Sequence, residues 1–192
     1  IVRTDPDNPP RVRLASLEKL IAQAVRTWQD DLRDALVERF DEEQGLHLFR
    51  SYADVFPAAY VEDVTAREAT FDIERLAAVK EAPEQLRMSL YRPPSFPDER
   101  VRFKTFHADS PLPISDVLPM LENLGLRVIS ERPYRVELGD DREVWIQDFE
   151  MVLRQQRDLV PSEVNEAFQG AFENTWLGMT ENDGFNSLVL SA

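Results

Sequence analysis

The apolar residues change their spacing at Pro83, and this switch constrains the fold more than any other feature of the chain. Before it, Leu14, Leu17, Ile21, Ala24, Val25, Trp28, Leu32, Leu36 and Phe40 recur every three or four positions, the period of one helical face. "DEEQGLHLFRSYADVF" (41–56) repeats the pattern with Leu46, Phe49, Tyr52, Ala53 and Phe56 until Pro57 interrupts it. "TAREATFDIERLAAVKE" (65–81) opens with Thr65 and Glu68 in capping-box register and carries Phe71, Ile73, Leu76 and Val79. The spacing predicts a helical layer over 11–81, with Ser16 capping a long first helix and no strand within it.

Beyond Pro83 the period falls to two. "LRMSLYR" (86–92) and "VRFKTFH" (101–107) alternate apolar and polar residues across a proline-rich connection, which predicts a hairpin with a long loop. Ser115 stands where an N-cap would start a helix, Asp116 favours its dipole, and Gly125 suits the left-handed residue that closes it. Two further alternating runs, 126–138 and 143–153, flank the turn signal "GDD" (139–141). In 161–176, Val164, Phe168, Phe172 and Trp176 lie four apart, a helix with an aromatic seam. The order from residue 86 onward is β-β-α-β-β-α, and the fold class is α+β.

Charge and composition exclude several functions. A net charge of −14, from 36 acids against 22 bases, repels phosphate backbones and anionic lipid, so neither nucleic acid nor a membrane surface is an expected partner. No apolar run approaches the roughly 20 residues that span a bilayer. Cytoplasm is the default location. With no cysteine, thiolate metal sites and disulfides are absent. The chain opens at Ile1 and stops inside the apolar run "GFNSLVLSA", so a piece of a longer polypeptide is expected.

Catalytic groups are sparse. The histidines are His47 and His107, on different elements, and Glu43 with His47 offers metal-ligand spacing without a third ligand. The six glycines form neither a dinucleotide fingerprint nor a phosphate loop. None of Lys19, Lys80 and Lys104 has the apolar setting of an activated amine. Catalytic residues, cofactor-binding residues and metal ligands are all expected to be absent from this stretch.

"VRFKTFHADSPLPISDVLPMLENLGLRVISERPYRVE" (101–137) resembles the first half of an ACT regulatory domain: a strand, an Asp-x-Pro loop, a helix, and a second strand entered through "NLGLRV". In that family the loop and the helix start form an effector pocket, commonly for an amino acid. The resemblance makes Asp109, Ser110, Leu112 and Ile114, with Asn123 and Gly125 at the far helix end, the candidate effector residues. Leu112 stands where the family places a glycine, whose missing side chain lets a ligand approach the backbone. An ACT domain runs β-α-β-β-α-β. Moving its last strand to the front yields the order seen here and predicts that 86–92 pairs antiparallel with 101–107. The result is a ferredoxin-like, four-stranded antiparallel sheet with two helices on one face.

A wider resemblance covers most of the chain. "TWQDDLRDALVERF" (27–40), "FPAAYVEDVT" (56–65), 114–134, "VWIQDFEM" (144–151) and "ENDGFNSLVL" (181–190) are similar to the large bacterial NAD-specific glutamate dehydrogenase, in the half that precedes its dehydrogenase core. The resemblance implies a linker and helical segment over 1–82, an ACT-like domain over 83–178, and the start of the next region over 179–192. It implies a non-catalytic regulatory or structural role, NAD as cofactor of the parent only, and other domains of the same chain and a homo-oligomer as partners. A free-standing amino-acid sensor and an oligomerisation scaffold stay open beside it.

Overall fold

The protein is described by a computed structural model, over residues 26–94, 96–139, 142–154 and 160–191. Helix α1 (Trp28–Arg39) starts at a capping box: Thr27 accepts from the Asp30 N–H while the Asp30 carboxylate accepts from the Thr27 N–H. Thr27 is extended, at φ −96° and ψ 164°, so the continuous helix predicted from Leu14 to Phe40 is broken there. The cap that the Thr-x-x-Asp pair supplies competes with passage of a helix through it. Ser16 and the rest of the predicted helix lie outside the described residues.

Asp41 caps α2 (Glu42–Tyr52), which packs on α1 at the buried Gly45. Pro57 begins a short helix, α3 (Ala58–Asp63), rather than only interrupting one, because a helix start does not need the N–H that proline lacks. Thr65 and Glu68 form the predicted capping box of α4 (Ala66–Glu81). That helix buries Ala69, Ile73, Leu76 and Val79, but Phe71 is 48% exposed with the Arg39 guanidinium 3.5 Å above its ring. Two positions from both Ala69 and Ile73, Phe71 is turned about 200° away from their stripe.

The sheet contains β1 (Arg87–Tyr91), β2 (Arg100–Ala108), β3 (Leu126–Leu138) and β4 (Arg142–Leu153), all antiparallel, in the order β1-β2-β4-β3. β1 takes the edge beside β2, with Arg87 opposite Phe106 and Tyr91 opposite Arg102, as the permuted reading requires. One face carries Met88, Leu90, Val101, Phe103, Phe149 and Met151 against α5 (Ile114–Asn123) and α6 (Pro161–Trp176). Phe103 meets Phe168 edge-on at 5.2 Å between ring centroids. Leu190, on the 3₁₀ helix Gly184–Ser191, joins the same cluster.

The opposite face is buried as well. Phe106, Tyr134, Val136, Val144 and Ile146 pack with Leu32, Tyr60 and Leu76 of the helical layer. A bulge between Val128 and Ser130 lets β3 serve both sides: Leu126 packs with one cluster, and Tyr134 and Val136 with the other. The α6 side chain of Asn165 accepts the Leu90 N–H at 3.1 Å, stoppering one donor on the outer edge of β1.

Candidate functional site

The loop from β2 to α5 is filled by its own chain. Leu112 is 2% exposed, in the cluster that holds Val117, Leu121 and Phe149. Its backbone is clamped twice by the buried Gln147 of β4: the Leu112 N–H donates to Oε1 at 2.7 Å, and Nε2 donates to the Leu112 carbonyl at 3.1 Å. Asp109 has φ 66° and is exposed, its N–H bonded to the Glu143 carbonyl at 3.0 Å. The exposed Ser110 accepts at its carbonyl from His107 Nδ1 at 2.8 Å. Ser115 does not cap α5: Pro113 holds the N-cap position, its carbonyl accepts the Asp116 and Val117 N–H groups, and the Ser115 hydroxyl bonds Asp116 instead. Ile114, the first helical residue, is 44% exposed.

The other two candidates lie at the far end of that ten-residue helix, about 15 Å away. Asn123 donates to the Asn182 side chain at 2.9 Å, and Gly125 takes φ 88°, the left-handed closure predicted for it. Both line a cleft of about 310 Å³ with Glu122, Arg154 and Ser187, where Arg154 pairs with Glu122 at 3.2 Å. The six residues therefore form two groups, and Leu112 closes the first.

A buried charge cluster escaped the sequence reading. Lys104, at the centre of β2 and 1% exposed, places Nζ 2.5 Å from Asp72 Oδ2 of α4 and 3.9 Å from Asp148 Oδ2 of β4. The Tyr60 hydroxyl donates to the same Asp72 oxygen at 2.6 Å, and Arg102 lies 3.5 Å from Asp148. Burial opposes charge on Lys104, but Asp72, with Tyr91 and Asp148 beside it, outweighs that cost and holds the ammonium protonated. Asp148 is pushed up to about 6 by burial, against the pull of Lys104 and Arg102, and neither of its oxygens has a hydrogen-bond donor among the described residues. Burial drives the Tyr60 hydroxyl well above its ordinary range, so it remains a donor. An ammonium sealed from water and kept protonated is no nucleophile. It joins the sheet to the helical layer.

One signal for this cluster stood in the sequence. Asp72 occupies the α4 stripe defined by Ala69, Ile73, Leu76 and Val79, where an unpaired carboxylate would be untenable and a buried cation is required. His47 is exposed on α2, and no group of three or more histidines and carboxylates among the described residues could hold a metal. No helix among the described residues is long and apolar enough to cross a membrane.

Comparison with known proteins places these elements. Residues 85–164 match the family model "Glutamate dehydrogenase, ACT3 domain", and residues 35–79 match "Glutamate dehydrogenase, helical motif 2". The whole chain is 39% identical to the NAD-specific glutamate dehydrogenase of Halomonas elongata and 40% identical to that of Pseudomonas aeruginosa. The Mycobacterium tuberculosis protein of the same name is 29% identical over 92% of the chain. The chain spans 12% of the length of the first two relatives and 11% of the third. The ACT match covers the full four-stranded sheet, and the helical-motif match covers most of the layer on its second face, from the end of α1 into α4. The chain belongs to the NAD-specific glutamate dehydrogenase family, as a segment that joins its helical motif 2 to its ACT3 domain.

Proposed function

We propose that this chain is a non-catalytic regulatory and structural segment of an NAD-dependent glutamate dehydrogenase. The parent would deaminate L-glutamate oxidatively to 2-oxoglutarate and ammonia in the cytoplasm, reducing NAD at a site outside this chain. The observation that carries the reading is the double burial of the sheet: α5 and α6 cover one face, the helical layer covers the other, and the Lys104–Asp72 pair locks that second contact. Such a unit can pass a displacement between its two sides, or brace the other domains of the same chain and the subunits of a homo-oligomer. Leu112 and Gln147 favour this role over a free-standing amino-acid sensor at the loop, because the side chain and the clamp occupy the space an effector would need.

The test uses both lengths of protein. The 192-residue chain with glutamate and NAD is expected to give no NADH absorbance. Full-length enzyme carrying Lys104→Met is expected to alter assembly mass or effector response while the isolated chemical step proceeds. Turnover by the short chain alone would refute the proposal.

A further inference from the structure

On the face of the sheet that the helical layer covers, four buried polar atoms have no hydrogen-bond partner among the described residues: Tyr91 Oη, Arg102 Nε and both carboxylate oxygens of Asp148. Tyr91 of β1 stands opposite Arg102 of β2, and Asp148 of β4 stands opposite Lys104, two residues further along β2. Opposed residues, and residues two apart on a strand, share one face, so these side chains meet on the side that holds Asp72 and Tyr60. The Lys104 ammonium lies 5.4 Å from the centre of the Tyr91 ring and 3.9 Å from Asp148 Oδ2, beyond hydrogen-bond reach of the carboxylate. Arg102 comes within 3.5 Å of the same oxygen as an ion pair without a hydrogen bond. Each group left in this way carries its desolvation penalty, and a carboxylate carries the largest. Native interiors satisfy such groups with ordered water where the protein itself does not.

The chemistry of the four atoms selects the ligand. Two are donors: burial holds the Tyr91 phenol well above its ordinary range, so it keeps its proton, and a guanidinium Nε always carries one. The two carboxylate oxygens are acceptors. Water has two lone pairs and two O–H groups, which is the complementary set. An anion would meet the carboxylates of Asp148 and Asp72, and a cation would meet Lys104 and Arg102. At neutral pH these two cations and two carboxylates balance, which favours a neutral guest.

We propose that a buried water molecule sits between Tyr91, Arg102 and Asp148, accepting from the Tyr91 hydroxyl and from Arg102 Nε–H and donating to the Asp148 carboxylate. It ties the edge strand β1 to β4 across β2, and the Lys104–Asp72 pair carries the same network into α4. The site does not depend on the regulatory reading, since it concerns the interior of this chain alone.

The test is a high-resolution crystal structure of the 192-residue chain, joined to water–protein NMR in solution. Density for one oxygen is expected within about 2.6–3.2 Å of Tyr91 Oη, Arg102 Nε and an Asp148 oxygen. In solution the Arg102 Nε–H is expected to show a water cross-peak with the sign of a bound molecule rather than of surface solvent. Tyr91→Phe removes one of the donors and is expected to weaken that cross-peak by about fivefold or more, the factor one hydrogen bond carries, while circular dichroism stays native. Three results would overturn the proposal: Tyr91 or Arg102 bonded directly to Asp148 with no density between them, no bound-water cross-peak at Arg102, or a cross-peak unchanged in Tyr91→Phe.

Discussion

Lys104 Nζ and Asp72 Oδ2 stand 2.5 Å apart in the interior, one from the central strand β2 and the other from α4, and this pair fastens the helical layer to the sheet. Removing one partner of a buried pair strands the other. Lys104→Met should destabilise the chain by about 3–5 kcal/mol in urea unfolding, whereas Lys104→Met with Asp72→Leu should recover most of that loss. A double variant as unstable as the single one would show that the pair's geometry, rather than the stranded carboxylate, sets the cost.

Asp148 makes stability depend on pH in the direction opposite to an ordinary ion-paired carboxylate. Its folded-state value of about 6 lies above the ordinary 3.8, so the native state binds the proton more tightly than the unfolded chain. This contribution is full below about pH 4 and is lost as pH rises through 6. Asp148→Asn should remove it. The difference in unfolding free energy between wild type and variant should move in favour of the variant by on the order of 1–3 kcal/mol from pH 4 to pH 7. Urea melts of both proteins across that range check this, since the remaining carboxylates cancel in the difference.

The sequence showed the architecture more readily than these groups. The strand alternation, the Thr65–Glu68 box and Gly125 were local signals, and each had its full cause within a few residues. Lys104 belongs to the other class. In "VRFKTFH" the polar phase of the strand reads as a solvent face, and it becomes an interior only because α3 and α4, whose Tyr60 and Asp72 stand some 30 to 45 residues earlier, cover it. The same distance hides the Gln147–Leu112 clamp, whose partners are 35 residues apart. Phe71 departs the other way: two positions from both Ala69 and Ile73, it lies on the far side of the helix from the stripe its apolar character suggests. At residue 27, a capping box outweighed a helical period that ran straight through it.

The Gln147 clamp predicts how the loop moves. Gln147→Leu removes both hydrogen bonds and leaves the buried Leu112 N–H and carbonyl without those partners, which should cost about 1–3 kcal/mol. Hydrogen exchange should rise at the Leu112 amide before it rises in the β2–β4 ladder. Leu112→Ala should cost about 2–5 kcal/mol through the cavity it leaves. Equal protection at Leu112 in wild type and Gln147→Leu would mean that packing alone holds the loop shut.

Gly45 sets how closely α1 and α2 approach. A Cβ built there would lie 2.7 Å from both Val37 Cα and Val37 N, and since these are backbone atoms the two helices must separate to admit it. Alanine is the better helix former by roughly 1 kcal/mol, so propensity alone would make Gly45→Ala stabilising. Overpacking opposes this with about 1–3 kcal/mol or more, and the contact with backbone places the site at the upper end. The expected outcome is a lower thermal midpoint together with faster hydrogen exchange in α1 and α2, while the β2–β4 ladder keeps its protection. Gly170, on α6 with open space around its Cβ position, supplies the control: Gly170→Ala meets nothing within 4 Å and should raise the midpoint. If both substitutions raised it, the close crossing of α1 and α2 would not be the constraint that keeps glycine at position 45.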